Sequence, residues 1–281
     1  MKSTIYLQGG LGNQLFQYVL GRNLAICHQI PINFSPLLLK LPLDVTRRQL
    51  EITELIGKSI TKNLVMDFSS LSGNRIFKSN RIITDKNFDL DFIKRNRNKC
   101  DIVGFFQTYT FIDEIWDQLK EELIQFLRLD KEILIKDDYL AMHLRLGDYL
   151  RSKKTNKFHG LSAPSYFLEA AKYLRKTTEL SNFLVVTDSP NEARDYLKSL
   201  KDLGFTFEIV KNNHFDDLKI IYQSRGSVLS NSSFSWWAGF LSWRTRQTPI
   251  IVPTPWYTDF KKEPMNLIPQ SWVKINRELY N

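Results

Sequence analysis

Four short segments carry the residues best able to do chemistry. In His143-Leu144-Arg145-Leu146-Gly147-Asp148-Tyr149, alternation along an extended chain sets His143 and Arg145 on one face. An arginine leaving the end of a buried strand offers a rigid fork of donors to a diphosphate, although a structural ion pair uses the same residue type. Thr187-Asp188-Ser189-Pro190 places a carboxylate where a strand should end. It could accept from a ribose or a guanine ring, or cap a turn. Ser230-Asn231-Ser232-Ser233-Phe234-Ser235-Trp236-Trp237 gathers hydroxyls and an amide at a helix start, which suits an oxyanion. Gly9-Gly10-Leu11-Gly12-Asn13-Gln14 is a further candidate anion loop, reading equally well as a plain strand-to-helix turn. It has neither the spaced glycines of a dinucleotide fingerprint nor the Gly-Lys-Ser/Thr end of a P-loop.

Other constellations are poor. His28, His143, His159 and His214 are scattered, without cysteines at ligand spacing, so no metal site is expected. Asp89-Leu90-Asp91 is the one Asp-x-Asp, but it sits in a Lys/Arg-rich segment and follows no clear strand. No Gly-x-Ser-x-Gly elbow is present. Trp256, Tyr257 and Trp272 could stack on sugars, with core packing the default.

The elements that must position these segments follow from periodicity. Residues 3–7 read as a strand and 13–27 as a helix, with Phe16, Leu20 and Leu24 recurring every fourth position. Residues 31–83 carry no clear pattern. Residues 101–106 return as a strand, and Ile112, Ile115, Leu119, Leu123 and Phe126 form a helical stripe. Strand-like runs at 139–144, 183–187, 205–210, 227–229 and 250–252 alternate with helices, which implies a parallel sheet. Ser189, Pro190 and Glu192 match an N-cap, a first-turn proline and a capping-box acid. The expected class is α/β, with two Rossmann-like domains facing a cleft. Residues 1–134 form the N-terminal domain and residues 135–281 the C-terminal one.

The 281 residues include 39 Lys plus Arg against 30 Asp plus Glu, a net charge of +9. An anionic partner follows: nucleic acid, a membrane leaflet or a phosphorylated small molecule. Hydrophobic content of 43% excludes wholesale disorder. No apolar run approaches the ~20 residues of a membrane span. Only two cysteines, Cys27 and Cys100, and a start without a secretory h-region point to a reducing, cytoplasmic setting.

Taken together, the segments resemble the α-1,2-fucosyltransferases, glycosyltransferase family eleven, over nearly the whole chain. The stretch from Gly9 to Tyr18 is similar to the family's opening motif, and Gly104-Phe105-Phe106-Gln107-Thr108-Tyr109 to its mid-chain Gly-aromatic-aromatic-Gln segment. Asn231-Ser232-Ser233-Phe234-Ser235-Trp236-Trp237 matches its C-terminal motif residue for residue. The segment from His143 to Tyr149 resembles the His-x-Arg-Arg-Gly-Asp-Tyr motif, with Leu146 in place of the second arginine. Thr187-Asp188 is similar to a Thr-Asp segment that reads guanine, where many close relatives carry Ser-Asp-Asp.

This resemblance implies the two-Rossmann, GT-B-type architecture and an inverting transfer that needs no metal or other cofactor. It would make residues 1–134 the acceptor side and residues 135–281 the GDP-sugar-binding side. L-Fucose would pass from GDP-β-L-fucose to the 2-hydroxyl of a sugar, galactose in a glycan, forming an α-1,2 linkage in O-antigen or other surface polysaccharide synthesis. Arg145 would hold the β-phosphate and Asp188 would read guanine. Gly10, Gly12, Asn13, His143, Ser189, Asn231, Ser232, Ser233 and Phe234 would complete the donor site. Asp148 is the candidate proton acceptor, with an equal reading as the residue that orients Arg145; His159 is another candidate. A lipid-linked acceptor would bring peripheral contact with the inner face of the cell membrane. Acceptor choice would lie in residues 31–99. The alternatives are a transferase of another GDP-sugar or linkage, suggested by Leu146 and Thr187, and a nucleic-acid-binding protein, which rests on charge alone.

Overall fold

The computed structural model describes residues 3–41, 48–58, 64–66, 82–96, 100–131, 137–210 and 212–278, without the side chains at 57, 58, 64–66, 148 and 260. Its internal contacts divide the chain into Met1–Phe126 with Pro264–Ile268, and Leu127–Glu263 with Pro269–Asn281. Sequence patterning alone sets that division near residue 135.

The first unit is built on five parallel strands: β1 (Ser3–Tyr6), β2 (Ile32–Ser35), β3 (Leu64–Met66), β4 (Ile82–Ile83) and β5 (Asp101–Val103), in the order β3-β2-β1-β5-β4. Every residue of β1 is buried, as a strand covered on both faces must be. The Leu11–His28 helix lays Leu15, Phe16, Leu20 and Leu24 on the sheet. Gly21 lets it approach closely, since a Cβ there would run into the Phe34 ring. Two polar residues of this helix, Gln14 and Gln17, are wholly buried. The Gln17 amide donates to the Gly104 carbonyl at 2.8 Å and accepts from the Gln8 amide at 3.1 Å, tying the loop after β1 to the loop after β5. Gln14 donates to the carbonyls of Gly9 and Gln49 and accepts from the Glu51 amide.

Some sequence expectations shift. β2 and the short Thr53–Lys58 helix lie in the stretch where no pattern was legible. The stripe from Ile112 is carried by two helices, Thr110–Asp113 and Trp116–Phe126. Strand β5 stops at Val103, because the chain turns at Gly104 and Phe106 adopts φ +50°.

The second unit holds six parallel strands: β6 (Leu140–Leu144), β7 (Asn182–Thr187), β8 (Thr206–Val210), β9 (Ser227–Val228), β10 (Ile250–Thr254) and β11 (Val273–Asn276). Their order, β11-β10-β9-β6-β7-β8, is that of a doubly wound dinucleotide fold counted from its own first strand. The α/β class with a Rossmann-like sheet in each unit is thus as the sequence predicts, although β2, β3, β4 and β11 were not announced by it. Trp236, Trp237 and Phe240 of the Ser233–Arg246 helix are fully buried, with Trp236 stacked on Phe240 at 4.7 Å. Tyr166 donates its hydroxyl to the Leu229 carbonyl at 2.7 Å, fixing the end of β9. Among the described residues no helix is long and apolar enough to cross a membrane.

Replacing Gln17 with Ala strands the buried Gly104 carbonyl and the half-buried Gln8 amide and should cost about 2 kcal/mol in urea unfolding. Unchanged stability would show that these groups have other partners.

Candidate functional site

In open α/β sheets, ligands collect beyond the carboxyl ends of the strands where strand order reverses. In the second unit that point lies between β6 and β9, which are neighbours although β7 and β8 run outward on the far side of β6. Two of the singled-out segments leave the sheet there. Ser230 joins them: its hydroxyl donates to the His143 carbonyl at 2.7 Å and accepts from the Arg145 amide at 3.0 Å.

Asp188, at the end of β7, organises the loop after β6. Its Oδ1 accepts from the amides of Leu146 at 3.0 Å and Gly147 at 2.9 Å, while Oδ2 pairs with Arg145 Nη1 at 2.8 Å. Hydrogen bonds to an ionised acceptor are each worth about 1.5–3 kcal/mol. A Cβ on Gly147 would stand 2.7 Å from Asp188 Oδ2, so this close approach needs the glycine. Leu146 is fully buried in the core with Leu140, Met142 and Leu144.

The first unit repeats the device. Asp85, just beyond β4, accepts from the Phe105 amide at 3.0 Å and from the Phe106 amide, and a Cβ on Gly104 would collide with its carboxylate. Burial pushes the Asp85 carboxyl up from its ordinary range, opposed by those amide hydrogen bonds.

The Ser230–Trp237 segment divides into two roles. Ser232 is the N-cap of the Ser233–Arg246 helix without a side-chain cap bond, and Ser232, Ser233 and Phe234 are half-buried. Asn231 is only 3% exposed, and its amide donates to the carbonyls of His159 at 2.8 Å and Trp256 at 2.9 Å. Arg277 donates to both of these carbonyls and to Gly160. Asn231 and Arg277 therefore clamp three loops from beneath. Burial draws the Arg277 guanidinium down to about 10, against the pull of nearby tyrosines and Glu263. Tyr149, stacked on His159 at 5.1 Å, donates to the Asn231 carbonyl at 3.1 Å.

His143 is 5% exposed, lies 5.9 Å from the Phe234 ring, and its Nδ1 has no hydrogen-bond partner among the described residues. Burial pushes it down to about 4; Asp188 opposes this and Arg145 adds to it. Ser189 starts the Pro190–Tyr196 helix as expected, although its side chain makes no cap bond. Asp148 lies in the Gly147–Arg151 helix, and its side chain is outside the described residues. Gly10, Gly12 and Asn13 belong to the first unit, where Gly10 precedes the Leu11–His28 helix and Asn13 Oδ1 accepts from Gln107 at 2.8 Å.

Asp89 caps the Leu90–Arg95 helix through the Phe92 amide. Trp256, Tyr257 and Trp272 are buried at 2%, 7% and 3% exposure, which fits core packing. Among the described residues no three His, Cys, Asp or Glu side chains stand together as a metal cluster. Much of 31–99 lies outside the described residues. Sequence reasoning missed Asp85 and Arg277, and it named Gln14 and Gln17 only as members of the opening motif, without their buried bonds. Only the glycine opposite Asp85 offered a signal.

The family described as Glycosyl transferase family 11 matches residues 1–276. The chain is 24% identical over 295 residues to an Escherichia coli protein named alpha-1,2-colitosyltransferase, covering 96% of this chain and 98% of that one. It is 23% identical over 309 residues to the Escherichia coli O-antigen biosynthesis glycosyltransferase WbnK, covering 96% and 99%. To galactoside alpha-(1,2)-fucosyltransferase 1 of Saimiri boliviensis boliviensis it is 22% identical over 193 residues, 63% of this chain and 52% of that protein.

A histidine held neutral by burial makes stability pH-dependent. The unfolded chain protonates His143 near 6.5 and the folded unit near 4, so the unfolded state binds the extra proton between these values. Stability is full above 6.5 and falls as pH drops toward 4. Urea midpoints at pH 7 and pH 5 should therefore diverge more for wild type than for His143→Gln. Equal losses would refute the assignment.

Proposed function

The chain belongs to glycosyl transferase family 11, and on that premise we propose that it transfers L-fucose from GDP-β-L-fucose to the 2-hydroxyl of a galactose-containing glycan, with inversion and without a metal ion. The observation that carries this reading is the Arg145–Asp188 pair at the switch point of a dinucleotide-type sheet, beside a helix start that lacks a side-chain cap.

The barrier in such a transfer is departure of GDP from an oxocarbenium-like carbon, so donors must meet charge gathering on the diphosphate. Arg145 supplies a guanidinium, and Ser232 and Ser233 supply hydroxyls. Removing one preorganised donor of this kind typically costs ~3 kcal/mol, about a hundredfold in rate. Asp188 has Oδ1 committed to two amides, so Oδ2, which also pairs with Arg145, is the atom that would accept from guanine. Asp148 would take the proton of the incoming hydroxyl. His143, uncharged at neutral pH, fits a donor site as a hydrogen-bonding group rather than as a cation.

A second reading concerns the donor sugar. A relative matched over nearly its whole length is named a colitosyltransferase, and colitose is fucose without its 3-hydroxyl. The same diphosphate site would then serve a sugar that differs by one hydrogen-bonding group. The O-antigen relative supports a polysaccharide context. The stretch 150–158 contains no acid, and its exposed Leu150 and Phe158 stand beside Lys153, Lys154 and Lys157, which favours a peripheral seat on an anionic inner-membrane surface.

Titration calorimetry in EDTA should find GDP bound in preference to ADP and UDP, with Arg145→Ala weakening it by about tenfold or more. Failure of GDP to bind, or a need for a divalent ion, would overturn the reading; linkage analysis of the product then separates fucose from colitose. Asp148→Asn should lower kcat while leaving GDP affinity unchanged. Equal kcat would remove it as the base.

A further inference from the structure

A nucleotide sugar carries a negative charge on each phosphate of its diphosphate, yet the Arg145 guanidinium is already balanced by Asp188 at 2.8 Å. The pair brings no net charge. Position 146 cannot add any, because Leu146 is fully buried and its side chain belongs to the core. The next cation along the chain is Arg151, one helical turn after Gly147 in the Gly147–Arg151 helix.

Long side chains on a helix lean back toward its N-terminus and cover the residue four positions earlier. Here that residue is a glycine, so the guanidinium can fold down against the backbone. Arg151 Nη2 and Asp188 Oδ2 each lie 2.7 Å from the point where a Cβ on Gly147 would stand. Arg151 is exposed, and among the described residues no carboxylate forms an ion pair with it. Asp188 thus pairs with Arg145, while the Arg151 guanidinium lies over the same glycine without an ion-pair partner among the described residues.

We propose that Arg151 is a donor-binding residue, reaching back over Gly147 to supply the diphosphate with the positive charge that Arg145 cannot offer alone. The glycine is then needed twice over, because a Cβ there would meet both the Asp188 carboxylate and the Arg151 guanidinium. This assignment rests on the nucleotide-diphosphate reading of the site, and the experiment must separate the two.

Affinities for GDP and for guanosine are compared by calorimetry in wild type, Arg151→Gln, Arg151→Lys and Arg145→Ala, with circular dichroism to confirm folding. Arg151→Gln should weaken GDP by about tenfold, flatten the salt dependence of GDP binding and leave guanosine unchanged. Arg151→Lys should recover part of the loss. If wild type fails to bind GDP, the nucleotide-diphosphate reading falls and the assignment falls with it. If wild type binds and Arg145→Ala does not, but Arg151→Gln matches wild type, the Arg151 assignment alone is wrong. Equal losses for GDP and guanosine would mark Arg151 as structural and also overturn it.

Discussion

A carboxylate at the end of one parallel strand holds the loop that leaves the neighbouring strand, and both units depend on it. Asp188 grips the amides that follow β6, and Asp85 grips those that follow β5. Strand ends in a parallel sheet leave amides without ladder partners, and an ionised acceptor satisfies two of them at once. The approach is so close that the gripped loop contains a glycine in each case, Gly147 and Gly104. A loop fixed in this way can present a side chain with little reorganisation, which is the condition for preorganised binding.

The same grip shapes the electrostatics of the second unit. Asp188 orients Arg145 but also cancels it, while the burial that shapes the site keeps His143 uncharged. Ser230 takes no part in this charge balance. Its hydroxyl is consumed in joining two backbones, whereas Ser232 and Ser233 follow it half-buried at the helix start. Beneath them, Asn231 and Arg277 share the carbonyls of His159 and Trp256, which makes the motif loop and the last strand one mechanical piece.

Much of this was legible where a residue type has one efficient use. The apolar run of β6, the Ser-Pro start of the Pro190–Tyr196 helix and the hydroxyl cluster after β9 each read correctly as local events. Legibility failed where the partner is distant in sequence. Gln14 and Gln17 stand in the opening motif, but their role lies in burial that no local pattern shows, because acceptors and donors from three loops meet them there. Strand β2 was invisible because four residues are too few to set a period, and β11 because its burial alternates weakly. Asn231 read as a ligand group, but the structure spends its amide on the scaffold.

One feature of the chain path bears on inheritance. Residues Pro264–Ile268 leave the second unit to complete the first, where the Asn266 carbonyl accepts from the Tyr109 amide at 2.9 Å and its side-chain amide donates to Thr110 at 3.2 Å. The chain therefore passes between units at three places. A recombination event with one crossover would hand the first unit a strap evolved against another partner. Exchange of whole halves between relatives requires three matched junctions, so new specificities in such a chain arise more readily by substitution within loops than by shuffling of domains.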